Sequence, residues 1–324
     1  MSGPPLSAGK GPSAGYRRAS PAPLDARQSD LTERWVTPRL PRIAEELLRL
    51  RLLLDAALTP SGVPARDEPA AACLKAEYSR WHKPFANGVA KPYPLGECHS
   101  ITSALFSYVR SHAVLDPESG FHGLGTFLAE GGAFRIIWGE VRHAYFQTAL
   151  QLGAWYVDVA NDTVDIRKPK ISMARLHAPE CEFSTVDSVE QYARIKASYH
   201  ACDIRYNHLF PDLAPCHPLL IRDHATGRFF LDDSRHVAAL MIEQDFAFLR
   251  ARALPLLEAQ EVAGIQGLLA RAGKTAPIPG WLRCEVLDFR RLHGISHQAQ
   301  APDLQATRIL RRRVAYLNHF LMSA

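Results

Sequence analysis

One stretch limits the possible folds more than any other part of the chain. Between Gly96 and Asp165 a helix-forming run gives way to strand-forming ones, so the fold must set a helix beside an antiparallel hairpin. The run opens Gly96-Glu97-Cys98-His99-Ser100-Ile101-Thr102 and continues to about His112, with Ile101, Ala104, Leu105, Tyr108 and Val109 at helical spacing. Pro92, Pro94 and Gly96 make the approach irregular, which sets Cys98 on the first helical turn. Ala113 to Gly132 is rich in glycine but lacks the Gly-Lys-Ser/Thr ending of a phosphate loop. Ala133 to Gly139, carrying Phe134, Ile136, Ile137 and Trp138, reads as a buried strand. Glu140 to Ala149 alternates weakly, Gln151-Leu152-Gly153-Ala154 reads as a hairpin connection, and Trp155 to Ala160 is rich in aromatic and β-branched residues.

The chemistry suggested by this stretch is that of a thiol. A cysteine attacks as its thiolate, and a helix N-terminus or a nearby histidine raises the thiolate fraction. Cys98 has the first device, and His143 is the candidate for the second. With a hairpin centred near Leu152, His143 falls within one or two positions of Asp158 or Asn161. Asp158 lies between Val157 and Val159, where a charge is costly to bury without a partner. An acid there can accept the imidazole N–H, fix the tautomer and stabilise the imidazolium.

The order helix-start Cys98, His143-Ala144-Tyr145, Trp155-Tyr156-Val157-Asp158 resembles the transglutaminase-like branch of the papain-like cysteine enzymes. The resemblance covers roughly seventy residues. It implies an α+β fold, a small antiparallel sheet packed on the nucleophile-bearing helix, with additional helices before and after. It further implies acyl transfer, amide hydrolysis, deamidation or peptide cleavage by a Cys98-His143-Asp158 triad, with no cofactor and no metal. The substrate would be a protein, a peptide, or a small amide or thioester. Asn161 and Asp162 are stand-ins for Asp158. The Cys98 N–H is one oxyanion donor, and Trp81, His82 or Asn87 would supply a second. His99 departs from the many members of the family that carry a bulky apolar or aromatic residue after the cysteine. Some members of the family have lost activity, so a binding module without turnover is the alternative.

The chain has 324 residues, 47% hydrophobic and 22% charged, enough to bury a sizeable core. A net charge of +5 is too mild to argue for nucleic acid. Residues 1–37 are rich in Ser, Pro, Gly and Ala and read as a disordered tail without the apolar core of a Sec signal. Residues 38–240 read as the enzyme core, and 241–324 as a helical extension packing on it. Helices are expected at about 39–58, 69–81, 188–200, 234–256, 260–272 and 303–322, and a hairpin joins 219–222 to 228–231. No apolar run is long enough to span a bilayer. The six cysteines are widely spaced, with no C-x-x-C pair, which points to reduced thiols and a cytoplasmic location. Leaderless export by a non-Sec route is the other reading of the tail.

The histidines and acids between 200 and 236 give a further alternative, a metal-dependent enzyme. Cys202, Cys216 and His217, with Cys181, His200 or His208, have soft-ligand chemistry but not zinc-site spacing. Asp223-His224 and Asp232-Asp233-x-x-His236 fit no facial triad. Turn formation accounts for Asp223 and helix capping for Asp232 or Asp233. The basic run Arg311-Arg312-Arg313 suits a solvated helix end.

Overall fold

A computed structural model describes residues 20–59, 64–82, 92–210, 213–214, 217–244, 247–251, 254–275, 314–315, 317–319 and 321–322. The chain divides into two compact units. Among the described residues, one comprises 20–185 and the other begins at Val186. The boundary falls inside the 38–240 span that the sequence reading treats as one core. The physical reason is that two separate antiparallel sheets form, one on each side of it.

The first unit is α+β. Its helices are α1 (Ala26–Leu31), α2 (Leu40–Leu58), α3 (Glu68–Trp81), α4 (Cys98–Tyr108) and α5 (Leu124–Ala129). Its strands are β1 (Phe134–Val141), β2 (Tyr145–Leu152), β3 (Trp155–Asp158), β4 (Ser172–Arg175) and β5 (Phe183–Ser184), in the antiparallel order β4-β3-β2-β1-β5. Helix α2 turns Ile43, Leu47, Leu50 and Leu54 inward, as its apolar spacing requires. Helix α4 buries small residues, Ser100, Ser103 and Ala104, beside Ile101 and Leu105. Small side chains let it approach both α3 and the sheet closely.

The strands' period of two sorts their residues between two faces. Phe134, Leu150, Leu152 and Val157 join α2 and α4 in one core, with Ile136 packed against it. Ile137, Val141, Ala149 and Tyr156 face the other way and pack with Leu176 and Phe183. The helix-facing register therefore contains Trp138, Glu140, Phe146 and Thr148. The opposite register contains Tyr145, Gln147, Tyr156 and Asp158.

The second unit holds α6 (Val189–His200), β6 (Cys202–Tyr206), β7 (Leu219–Asp223), β8 (Phe229–Leu231), α7 (Arg235–Glu243), α8 (Ala247–Ala251) and α9 (Ala259–Thr275). Ser188 caps α6 by accepting from the Gln191 N–H (3.0 Å). The sheet order is β6-β7-β8. Leu220, Leu231, Ile265, Val314 and Leu321 share its core, so the C-terminal stretch closes over this sheet. No helix among the described residues is long and apolar enough to cross a membrane.

Candidate active site

The Cys98 segment is pinned by a buried ionic network. Arg51, fully buried on α2, pairs with Asp55 and with Asp162 (3.0 Å), and Lys170 reaches Asp55 (2.8 Å) and Asp162 (3.0 Å). Tyr93 donates to Asp55 (2.5 Å), and the Gly96 N–H donates to the Thr163 carbonyl (2.9 Å). Together these contacts tie the approach to α4 to α2 and to the loop after β3. Asp162 is thereby committed to Arg51 and Lys170. Asn161 donates to the Pro169 carbonyl (2.9 Å). Neither residue stands in for Asp158 beside His143, as the sequence reading allowed.

Cys98 is half-buried at the first position of α4, as expected. Burial pushes its thiol up, while hydrogen bonding to the Thr148 main chain opposes that shift. Thr102 Oγ1 donates to the Thr148 carbonyl (3.0 Å), holding α4 on the helix-facing side of β2. The end of α3 borders the same tip. The Trp81 ring meets His99 edge-on at 5.8 Å, and His82 Nδ1 lies 3.1 Å from Glu97 Oε2. Asn87 lies outside the described residues.

His143 sits in the β1–β2 turn, where both it and Arg142 have positive φ (54° and 57°). Its Nδ1 is 2.5 Å from Glu140 Oε1, and its side chain is 71% exposed. Glu140 is fully buried and also accepts from Ser184 Oγ (2.8 Å).

Asp158 takes different partners. Its carboxylate accepts two bonds from Gln147 Nε2 (2.8 and 2.7 Å), one from Tyr156 Oη (3.2 Å) and one from the Ala160 N–H (2.8 Å). Burial raises it to about 6 against those donors. The expected His143–Asp158 pair is not formed. The hairpin turns on Gly153-Ala154, with Leu152 opposite Trp155, so Leu150 meets Val157 and His143 lies well beyond the strand end. The structure thus sets Cys98 against Thr148 on the helix-facing register and Asp158 in the opposite one, from which its charge still helps to push the Cys98 thiol up; among the described residues no hydrogen bond or ion pair joins His143 to Cys98.

Glu140 is the functional candidate that the sequence does not single out: it lies between Gly139 and Val141, a weaker signal than the two valines that flank Asp158. Among the described residues, no group of three or more His, Cys, Asp or Glu is placed to hold a metal ion. Four of the described candidates between 200 and 236 have local partners within the fold. Asp223 accepts from the Thr226 N–H (2.8 Å), His224 pairs with Asp203 (3.1 Å), and Asp232 pairs with Lys196 (3.2 Å). His217 Nδ1 lies 2.8 Å from the Asp232 carbonyl. Cys216 is outside the described residues. No family model matches the chain, nor does any curated protein or solved structure.

Proposed function

We propose that the chain is a cysteine-dependent acyl-transfer enzyme of transglutaminase-like architecture. Cys98 attacks the carbonyl of an amide or thioester, in a protein, a peptide or a smaller molecule. His143 takes the thiol proton and returns it to the leaving group, and water or an amine releases the acyl group from sulfur. The observation carrying this reading is the 2.5 Å contact of His143 Nδ1 with the buried Glu140, which leaves Nε2 for proton transfer. Glu140 is the orienting carboxylate in this reading, in the role that the family resemblance would give to Asp158. For chemistry, the turn carrying His143 must bring the imidazole to the sulfur, since catalytic contacts commonly tighten only once substrate is bound.

The test is iodoacetamide alkylation followed thiol by thiol. Cys98 should react faster at neutral pH than Cys73 or Cys181, and His143→Asn and Glu140→Gln should each remove that advantage. Loss in Asp158→Asn with Glu140→Gln unaffected would return the orienting role to Asp158.

A second reading, a binding module of the same architecture without turnover, is favoured by the upward push on the Cys98 thiol. It predicts that Cys98 alkylates more slowly than the other thiols and is indifferent to both variants.

A further inference from the structure

The face of the five-stranded sheet turned away from α4 contains a cavity of about 290 Å³ under the β1–β2 turn. We propose that this cavity binds a small organic cation, a primary ammonium or guanidinium group on a compact apolar body. The inference does not rest on Cys98 chemistry.

Three observations carry it. Asp158 lies at the cavity with only 3% of its surface exposed, and among the described residues no cation is within ion-pair distance of it, Lys168 acting on it only through space. Its four hydrogen bonds come from neutral donors, Gln147, Tyr156 and the Ala160 N–H. A buried carboxylate satisfied this way has its charge met only through space, by Lys168 at the cavity wall, and a cation entering the cavity can meet it directly.

The walls are aromatic. Tyr156 and Phe183 stack at 5.0 Å, and Tyr145 stands opposite. The chain itself demonstrates the preference, because the Lys168 ammonium leans over the Tyr145 ring at 5.0 Å and donates to its hydroxyl (2.8 Å).

The charge balance decides the sign of the ligand. At the rim Arg142 is neutralised by Glu182 (2.5 Å). That leaves Asp158 and Glu180 against Lys168, a net negative lining. The volume lies at the low end for ligand pockets, so the ligand is small.

Calorimetric titration of the full-length protein with benzylammonium, benzyl alcohol and benzoate tests the proposal. Benzylammonium should bind one site saturably, and at least about tenfold tighter than benzyl alcohol, which keeps the ring without the charge. Asp158→Asn should weaken it by at least about tenfold. Lys168→Met, which removes the internal competitor, should tighten it by about threefold and keeps the test decisive if Asp158→Asn fails to fold. Benzyl alcohol or benzoate binding as tightly, weaker binding in Lys168→Met, or no saturable binding of millimolar benzylammonium would each overturn the proposal.

Discussion

Individual side chains carry the largest stakes where charge is buried. Arg51 has no exposed surface and holds Asp55 and Asp162, with Lys170 as the only other cation in the group. Arg51→Met should lower stability by about 3–5 kcal/mol, because buried Asp162 and half-buried Asp55 are left with one ammonium. A fall in the urea midpoint measures this. A change under about 1 kcal/mol would mean that the pair is solvated. Asp158 makes a prediction of opposite character. Its folded value near 6 exceeds the ordinary carboxylate value of 3.8, so the folded state binds the proton more tightly. The stability this confers is present in full below pH 3.8 and is lost as pH rises through 6. At 1.36 kcal/mol per pH unit the whole effect is about 3 kcal/mol. Asp158→Asn should flatten that slope in urea titrations taken from pH 4 to 7. At this scale the sequence was readable for identity and blind to partners distant in the chain. Asp158 was correctly suspected of needing a partner, since a charge between two valines must find one. The partner proved to be Gln147, a neutral side chain that no rule of charge pairing singles out. Asp55 stands at the i,i+4 position from Arg51 on the same helix and is legible as its partner, whereas Asp162, 111 positions away, gives no local signal.

The elements are more legible than their partners, with one exception: residues 20–37, expected as part of a disordered tail, carry α1 and bury Leu31 and Val36 in the core, because a few apolar residues suffice once α2 offers a surface. Leu40–Leu58 and Glu68–Trp81 agree with the expected helices within one residue, because an apolar stripe at helical period is local information. The strands at Phe134–Val141 and Trp155–Asp158 are legible from their apolar and β-branched residues, but the one expected over 140–149 begins only at Tyr145, because residues 142–144 form the β1–β2 turn and take His143 off the strand. Register is not legible, since it depends on which residues make the turn, and a shift of one position exchanges the faces. Gly153 fixes that choice. Its φ of +59° suits glycine, and an added Cβ would stand 2.2 Å from Thr32 Oγ1, which itself accepts from the Ala154 N–H (3.0 Å). Gly153→Ala should therefore cost about 2–3 kcal/mol, the sum of left-handed strain and a displaced Thr32 hydroxyl. Thermal unfolding followed by far-ultraviolet circular dichroism checks it. An unchanged midpoint would mean that the connection can adopt another turn, and the register that separates Asp158 from His143 would lose its support.

Among the described residues, the apolar clusters of the two units share no residue, which makes stability a property of each unit separately. The unit of residues 20–185 gathers residues from Leu31 to Ala160 around α2 and α4, whereas the other draws on Leu213 to Leu321 around β7, β8 and α9. Composition could not locate this division, because nothing in the polarity of the sequence changes at Thr185. The hairpin signal at 219–231 identified strands without revealing that they form a sheet of their own. Each unit also has its own buried ion pair. In the second unit Lys196 meets Asp232 (3.2 Å), and its hydroxyl partner is Tyr192 (3.2 Å). Removing Lys196 leaves Asp232, 3% exposed, without its cation. Separate cores and separate ion pairs predict two calorimetric transitions in the full chain. Arg51→Met should lower one of them and leave the other within about a degree, and Lys196→Met should do the reverse. A single transition moved by both substitutions would show that the units unfold together, and the two cores would then have to be treated as one cooperative structure.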